Sequence, residues 1–242
     1  MATYKELKGI NVQSVDSDPT AVEGEVWYNS GTSLLKMYQS SGSWASGGNL
    51  NTAKAKPGGS GLQTAAAAFG GTGFEAETEV YNGATWTESG DLNTGRGDGA
   101  GLGLSTAALF AGGETATAYT AINEEYNGST WSEEADLNQA RGATAGCGIV
   151  TAALVMSGAT GSPNFTQLNE IWDGSSWTET GDLVQGKNGG ECVGTTSAAL
   201  YFGGNTPSST ANSEEWNGSA WAEGDNLNRA TDSAGAFGIQ TS

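Results

Sequence analysis

A six-residue phrase, Tyr/Trp-Asn/Asp-Gly-x-x-Trp, recurs four times along this chain. The copies run from Tyr81-Asn82-Gly83 to Trp86, Tyr126-Asn127-Gly128 to Trp131, Trp172-Asp173-Gly174 to Trp177, and Trp216-Asn217-Gly218 to Trp221. A degenerate copy, Tyr38 to Trp44, precedes them, and from Trp44 onward the closing tryptophans advance by 42, 45, 46 and 44 residues. A period in that range, built from short strand signals, implies a radial or stacked β-repeat. Five such units nearly fill the 242 residues, which favours one repeat array over two domains.

Each unit reads as four antiparallel strands. Within residues 142–181 the spacing predicts strand one over Ala143–Ile149, strand two over Thr151–Met156, strand three over Leu168–Trp172, and strand four around Trp177. The preceding unit places strand three over Ile122–Tyr126. Asn-Gly or Asp-Gly between strands three and four predicts a tight hairpin with positive φ at both central positions. Four strands per 40–50 residues is the pattern of a propeller blade. Alternate positions of strand one are small (Gly59 and Gly61, Gly101 and Gly103, Gly146 and Gly148, Cys192 and Gly194, Ala236 and Gly238), with larger residues between them. Blades converging on an axis leave room for nothing bigger.

Ser242 follows directly on a fifth strand one, Ala234–Gln240, and the missing strands two to four fall at the other end, over Gly24–Tyr28, Leu34–Gln39 and Ser43–Ala45. The expected fold is all-β: a five-bladed β-propeller of four-stranded antiparallel blades over residues 24–242, closed by a blade shared between the termini, after an N-terminal extension of residues 1–23. Sharing a blade removes exposed sheet edges. Four of nine cations occupy one repeat position (Lys54, Arg96, Arg141, Lys187), and four glutamates another (Glu79, Glu124, Glu170, Glu214). The split blade carries Thr231 and Lys36 at these positions, so both change together. The expectation is an ion pair within each blade, the cation reaching over the Gly-Gly that ends strand two.

These residues resemble the kelch and galactose-oxidase-like propellers, whose repeat also runs through a hydrophobic stretch ending in Gly-Gly, then a spaced Tyr and Trp, as in Thr106–Gly113, Tyr126 and Trp131. Residues 1–9 (Met-Ala-Thr-Tyr-Lys-Glu-Leu-Lys-Gly) and 23–29 (Glu-Gly-Glu-Val-Trp-Tyr-Asn) are similar to the openings of tail-fibre and virion-associated proteins of marine (cyanophage-type) bacteriophages. Those proteins continue into units like Trp44–Lys54. The resemblance implies a virion protein contacting other virion proteins through residues 1–23 and a host surface glycan or protein through its loops; synthesis in the host cytoplasm is expected because the start of the chain does not read as a signal peptide. A free sugar-binding lectin with several similar pockets is the alternative, and a purely decorative stabilising protein that binds nothing beyond its own particle is a third.

The side-chain inventory narrows the chemistry. There is no histidine, which removes the commonest general base and the usual zinc and copper ligand, so galactose-oxidase chemistry does not carry over. Adjacent glutamates such as Glu124-Glu125, Glu133-Glu134 and Glu214-Glu215 point to opposite faces of a strand, poor geometry for an acid/base pair. Asp16-Ser17-Asp18 lacks the further oxygens of a calcium loop. No catalytic residue, metal site or cofactor is expected. A net charge of −18 disfavours nucleic acid and anionic membrane, no apolar run is long enough for membrane insertion, and the first fifteen residues do not read as a signal peptide. Cys147 and Cys192 sit one repeat position apart and are expected to point to opposite faces as two small buried residues, not a disulfide.

Recognition remains. The connections from strand four to the next strand one repeat a polar phrase around a leucine: Asn49 and Asn51, Asp91 and Asn93, Asp136 and Asn138, Asp182, and Asn226 and Asn228. These either bond turn backbone or face a ligand. The strand two-to-three connections, expected on the same face, vary in length and offer Phe74, Tyr119 and Phe165 for stacking. Carboxylates, amides and aromatics together suit a neutral glycan.

Overall fold

The computed structural model describes residues 13–20, 26–37, 46–161, 164–233, 235, 236 and 238. The chain divides into two compact units, Met1–Ser46 and Gly47–Ser242. In the first, β1 (Gln13–Val15), β2 (Val26–Asn29) and β3 (Leu34–Met37) form one sheet, with β2 central, antiparallel to β3 and parallel to β1. β1 lies inside the stretch read as an extension, and it takes the edge of β2 that the closing-blade expectation reserves for residues 234–240. Those residues, like the strand expected at Ser43–Ala45, fall largely outside the described set. Asp18 braces this sheet, accepting from the Trp27 indole (3.0 Å) and the Asn29 amide (2.7 Å) while pairing with Lys36 (2.7 Å). The Lys36 bond, then the Asn29 and Trp27 bonds, hold its carboxyl down at about 2.

The second unit carries four sheets of one design, each an antiparallel meander in sequence order or its reverse. The first holds β4 (Gly58–Leu62), β5 (Ala65–Phe69), β6 (Thr78–Tyr81) and β7 (Trp86–Glu88). The second holds β8 (Ala100–Leu104), β9 (Ala107–Ala111), β10 (Asn123–Tyr126) and β11 (Trp131–Glu133). The third holds β12 (Ala145–Ile149), β13 (Ala152–Met156), β16 (Asn169–Trp172) and β17 (Trp177–Glu179), with a small added hairpin, β14 (Ala159–Gly161) and β15 (Asn164–Phe165). The fourth holds β18 (Glu191–Gly194), β19 (Ala199–Phe202), β20 (Ser213–Trp216) and β21 (Trp221–Glu223). These spans match the sequence reading to within two residues at their starts.

The first strands of neighbouring sheets lie side by side, β4 on β8, β8 on β12 and β12 on β18. At the first two of these junctions glycine is required. A Cβ on Gly101 would lie 2.4 Å from the Gly59 backbone nitrogen, and one on Gly146 would lie 2.9 Å from the Ala100 Cβ. Between sheets the core is built from strand-two side chains and the repeated aromatics. Phe69, Phe110, Tyr126 and Trp131 fill one junction, Leu109, Val155, Trp172 and Trp177 the next, and Leu154, Tyr201, Trp216 and Trp221 the last.

The strand three-to-four turn differs from expectation. Tyr81 pairs with Trp86 across four residues, and only Gly83 of the Asn-Gly pair is left-handed (φ 93°). Asn82 instead turns its side-chain carbonyl onto the Ala84 and Thr85 amides (both 3.0 Å), and Asn127, Asp173 and Asn217 repeat the arrangement. A side chain that satisfies the turn locally removes the need for a two-residue loop. The Tyr or Trp and the closing Trp are thereby brought into contact as tilted ring pairs, 35–41° between planes and 5.1–5.4 Å between ring centroids in all four sheets.

The cysteines also depart from expectation. Relative to their own sheets they do point opposite ways, but sheets stacked face to face bring opposite faces together, and the two sulfurs lie 3.0 Å apart.

Candidate functional site

The paired charges form the frame on which the loops are hung. Arg96 and Glu124, and Arg141 and Glu170, make short ion pairs, and Lys187 pairs with Glu214 at 2.8 Å; all six side chains are at most 2% exposed. Arg96 also donates to the Gly112 carbonyl (3.1 Å) and the Phe110 carbonyl (2.6 Å), so it does reach over the glycines. Its guanidinium stands 4.5 Å from the Phe110 ring centroid, and burial pulls its pKa down. The first sheet differs: Lys54 lies 3.6 Å from Glu77, not on Glu79. Only that sheet offers a competing carboxylate at this place, where the others carry Ile122, Leu168 and Asn212. An ammonium without the guanidinium's fork settles on the nearer charge.

Asn51, Asn93 and Asn138 complete this frame. Asn93 bonds the Glu124 carboxylate through its backbone (2.7 Å) and side-chain amide (2.9 Å), and reaches the Trp131 carbonyl at 3.3 Å. Asn51 on Glu79 and Trp86, and Asn138 on Glu170 and Trp177, repeat these contacts. Both amide hydrogens of each are therefore engaged by the scaffold. Asn49, Asp91, Asn226 and Asn228 are exposed, as is Asp136, which accepts from the Asn123 backbone at 3.2 Å. In two of the adjacent glutamate pairs, Glu124 and Glu214 are buried while Glu125 is half-buried and Glu215 exposed, as alternation requires; in the third, Glu133 is exposed and Glu134 half-buried.

The two sets of connections share a face, laced together at the first sheet by the Thr72 amide on the Ala55 carbonyl (2.7 Å) and at the others by bridges such as Gly97 to Glu114, Gly142 to Ala159, Thr166 to Lys187 and Asn188 to Asn205. The third sheet adds the β14–β15 hairpin, and beside it opens a cavity of about 440 Å³ lined by Gln139, Thr160, Phe165, Thr166, Gln167, Leu168, Asp182 and Gly186. Phe165 and Asp182, both expected from sequence, meet here. Phe74, held at φ 60° in the first sheet, does not join them. Neither does Tyr119, whose ring packs so closely on Gly142 that a Cβ there would sit 2.7 Å from it. Gln139, Thr160 and Gln167 carry no signal in the sequence that separates them from ordinary loop polar residues.

A second cavity, about 450 Å³, runs between the first strands. It is lined by glycine and alanine of β4, β8 and β12, by Ser60, Thr144, Glu191 and Cys192, and by Gly235 and Ala236 of the C-terminal stretch. Glu191 stands in the register of Gly58, Ala100 and Ala145. The step from Gly58, Ala100 and Ala145 to a glutamate at this one position was legible, yet Glu191 is not among the candidate residues expected from sequence. With no donor bonded to it among the described residues, burial raises its pKa to about 7. An unfolded glutamate ionises near 4.3, so the folded state keeps its proton longer as pH rises. Stability is then lost between about pH 4.5 and 7 and stays lower above. Glu191→Gln removes this penalty and is expected to be more stable than the parent at pH 8 by about 1–2 kcal/mol, after allowance for solvent screening, and equal to it at pH 4. Denaturant melts at the two pH values check it.

No protein-family model and no curated protein sequence matches the chain. Among solved structures it is similar to one titled "Structure of YjhT", at 11% identity and a TM-score of 0.62, over 75% of this chain and 68% of that one. At that identity the likeness concerns the fold alone, which is β-propeller-like.

Proposed function

We propose that this chain is a five-bladed propeller displayed on a bacteriophage particle, docked through residues 1–23, and that its loop face binds a neutral glycan or a protein of the host surface without catalysing a reaction. The fifth blade joins residues 26–37 to residues 234–240, which must then displace β1 from the edge of β2. Support for the blade count comes from the five-fold sequence period and from Gly235 and Ala236, which line the same cavity as β4 and β18. The phage assignment rests on the resemblance of the N-terminal phrases.

The observation that carries the recognition reading is the cavity beside β15. It gathers one aromatic face, Phe165, with the amides of Gln139 and Gln167, the Thr160 hydroxyl and the Asp182 carboxylate. A few polar groups convergent around an apolar surface suit a sugar ring, and the acid favours hydroxyl donors over anionic partners. Because the hairpin belongs to one sheet, the sheets do not share one pocket design, which weighs against a lectin with several similar pockets.

A glycan array probed with the whole chain is expected to give hits among neutral sugars. Phe165→Ala and Asp182→Asn are each expected to weaken the best hit about tenfold or more, equivalent to about 1.4 kcal/mol. Silence across neutral glycans, or binding indifferent to both changes, contradicts the assignment. Deleting residues 2–22 is expected to abolish incorporation into particles and leave the glycan hits intact.

A further inference from the structure

Cys147 on β12 and Cys192 on β18 are free, buried thiols whose sulfurs lie 3.0 Å apart across the junction of the third and fourth sheets. The repeat shows how specific this pairing is. Where the second and third sheets meet, Leu102 lies over Gly146, whose Cβ would come within 3.0 Å of the leucine side chain. One junction later, Cys147 stands in the register of Leu102, and Cys192 in that of Gly146. The large residue has shrunk and the glycine has grown, so the space is shared between two sulfurs. They need approach by only roughly 1 Å to reach the disulfide length of about 2.05 Å.

We propose that this pair is a modification site: a disulfide joining the third and fourth sheets, formed after folding by a small peroxide. Cys192 and not Cys147 lines the cavity between the first strands, so its sulfur is the one a small oxidant meets. Its thiolate attacks one peroxide oxygen, the O–O bond breaks, and the sulfur becomes a sulfenic acid while the other oxygen leaves as hydroxide, which takes up the proton the thiol released and becomes water. The Cys147 sulfur then attacks that sulfur, the S–O bond breaks, and a second water departs with the Cys147 proton. Two thiols and one hydrogen peroxide thus give one disulfide and two waters. Burial, then the neighbouring Cys147, raises the Cys192 thiol well above its ordinary value, so thiolate is scarce and the reaction slow at neutral pH. Slow conversion suits a lock set once the protein has left a reducing cytoplasm. The inference is independent of what the loop face binds.

The test exposes the whole chain, purified under reductant, to excess hydrogen peroxide overnight. The expected product has one peptide pair linked through Cys147 and Cys192 and no remaining thiol. Closing a loop between residues 45 apart in sequence is expected to raise the melting temperature by roughly 10 °C, reversibly with reductant. Cys147→Leu combined with Cys192→Gly restores the pair used at the neighbouring junction and is expected to fold and to show no such rise. Two free thiols after exposure and unfolding, sulfinic or sulfonic acid in place of the linkage, a disulfide between chains, or an equal rise in the double variant overturns the proposal.

Discussion

Replacing Glu124 with alanine is expected to cost the repeat array about 3–5 kcal/mol, the range for breaking a buried ion pair, and roughly 10 °C in melting temperature. The magnitude follows from what the carboxylate holds. It accepts from Arg96, from the Asn93 backbone and side chain, and from the Thr94 backbone (3.2 Å), so its loss strands one buried cation and three amide donors. Arg96→Met removes the cation but leaves Glu124 its three amides and fills much of the same volume, so it is expected to cost less. A structural carboxylate with several donors makes the glutamate the keystone and the arginine one of its partners. If Arg96→Met proves the more damaging of the two in equilibrium urea melts, that ranking of roles is wrong. The pair of exposed Lys56 and half-buried Asp98 offers a contrast: neutralising Lys56 is expected to change stability by less than about 1 kcal/mol.

Gly101→Leu is expected to be as severe, by a different route. Its Cβ alone would lie 2.4 Å from the Gly59 nitrogen and 2.9 Å from the Gly58 Cα, both backbone atoms that cannot swing aside. Overpacking commonly costs about 1–3 kcal/mol, and more where nothing can yield. We expect at least 3 kcal/mol, or recovery only as insoluble protein, because β4 and β8 must separate to admit the side chain. A soluble Gly101→Leu protein melting within about 2 °C of the parent, or within roughly 1 kcal/mol, would show that the first strands are not packed as described.

Much of this was legible in the sequence because the repeat reports the same physics several times over. Strand positions followed from the Gly-Gly stops and the closing tryptophans. The cation–glutamate pairing followed from co-variation across units, and the structure adds why Gly-Gly is needed: Gly70 and Gly112 are left-handed, at φ 65° and 67°, and Ser157 takes the same conformation at 61°. What was not legible depends on relations between units. The meeting of Cys147 and Cys192 requires knowing that sheets stack face to face, so that opposite faces become neighbours. Lys54 turning to Glu77 depends on a substitution in one unit only. β1 pairing with β2 in parallel left no alternation pattern, since three residues are too few to show one. At the loop face, Phe165 and Asp182, singled out by sequence as an aromatic and an acid in the connections, line one cavity. Asn51, Asn93 and Asn138 were singled out in the same way, and backbone amides with a buried carboxylate claim them instead. Polar residues that hold a loop and polar residues that hold a ligand look alike until their partners are seen.

The proposed five-bladed ring requires a fifth first strand, from residues 234–240, to close against β4. Gly59 occupies the repeat position of Gly101, yet among the described residues a Cβ on it would meet nothing nearer than the Ala67 carbonyl at 3.9 Å. The thermal stability of Gly59→Leu decides the matter. A closed ring predicts a loss like that of Gly101→Leu, because the fifth strand would fill the space beside Gly59; a protein as stable as the parent would contradict closure.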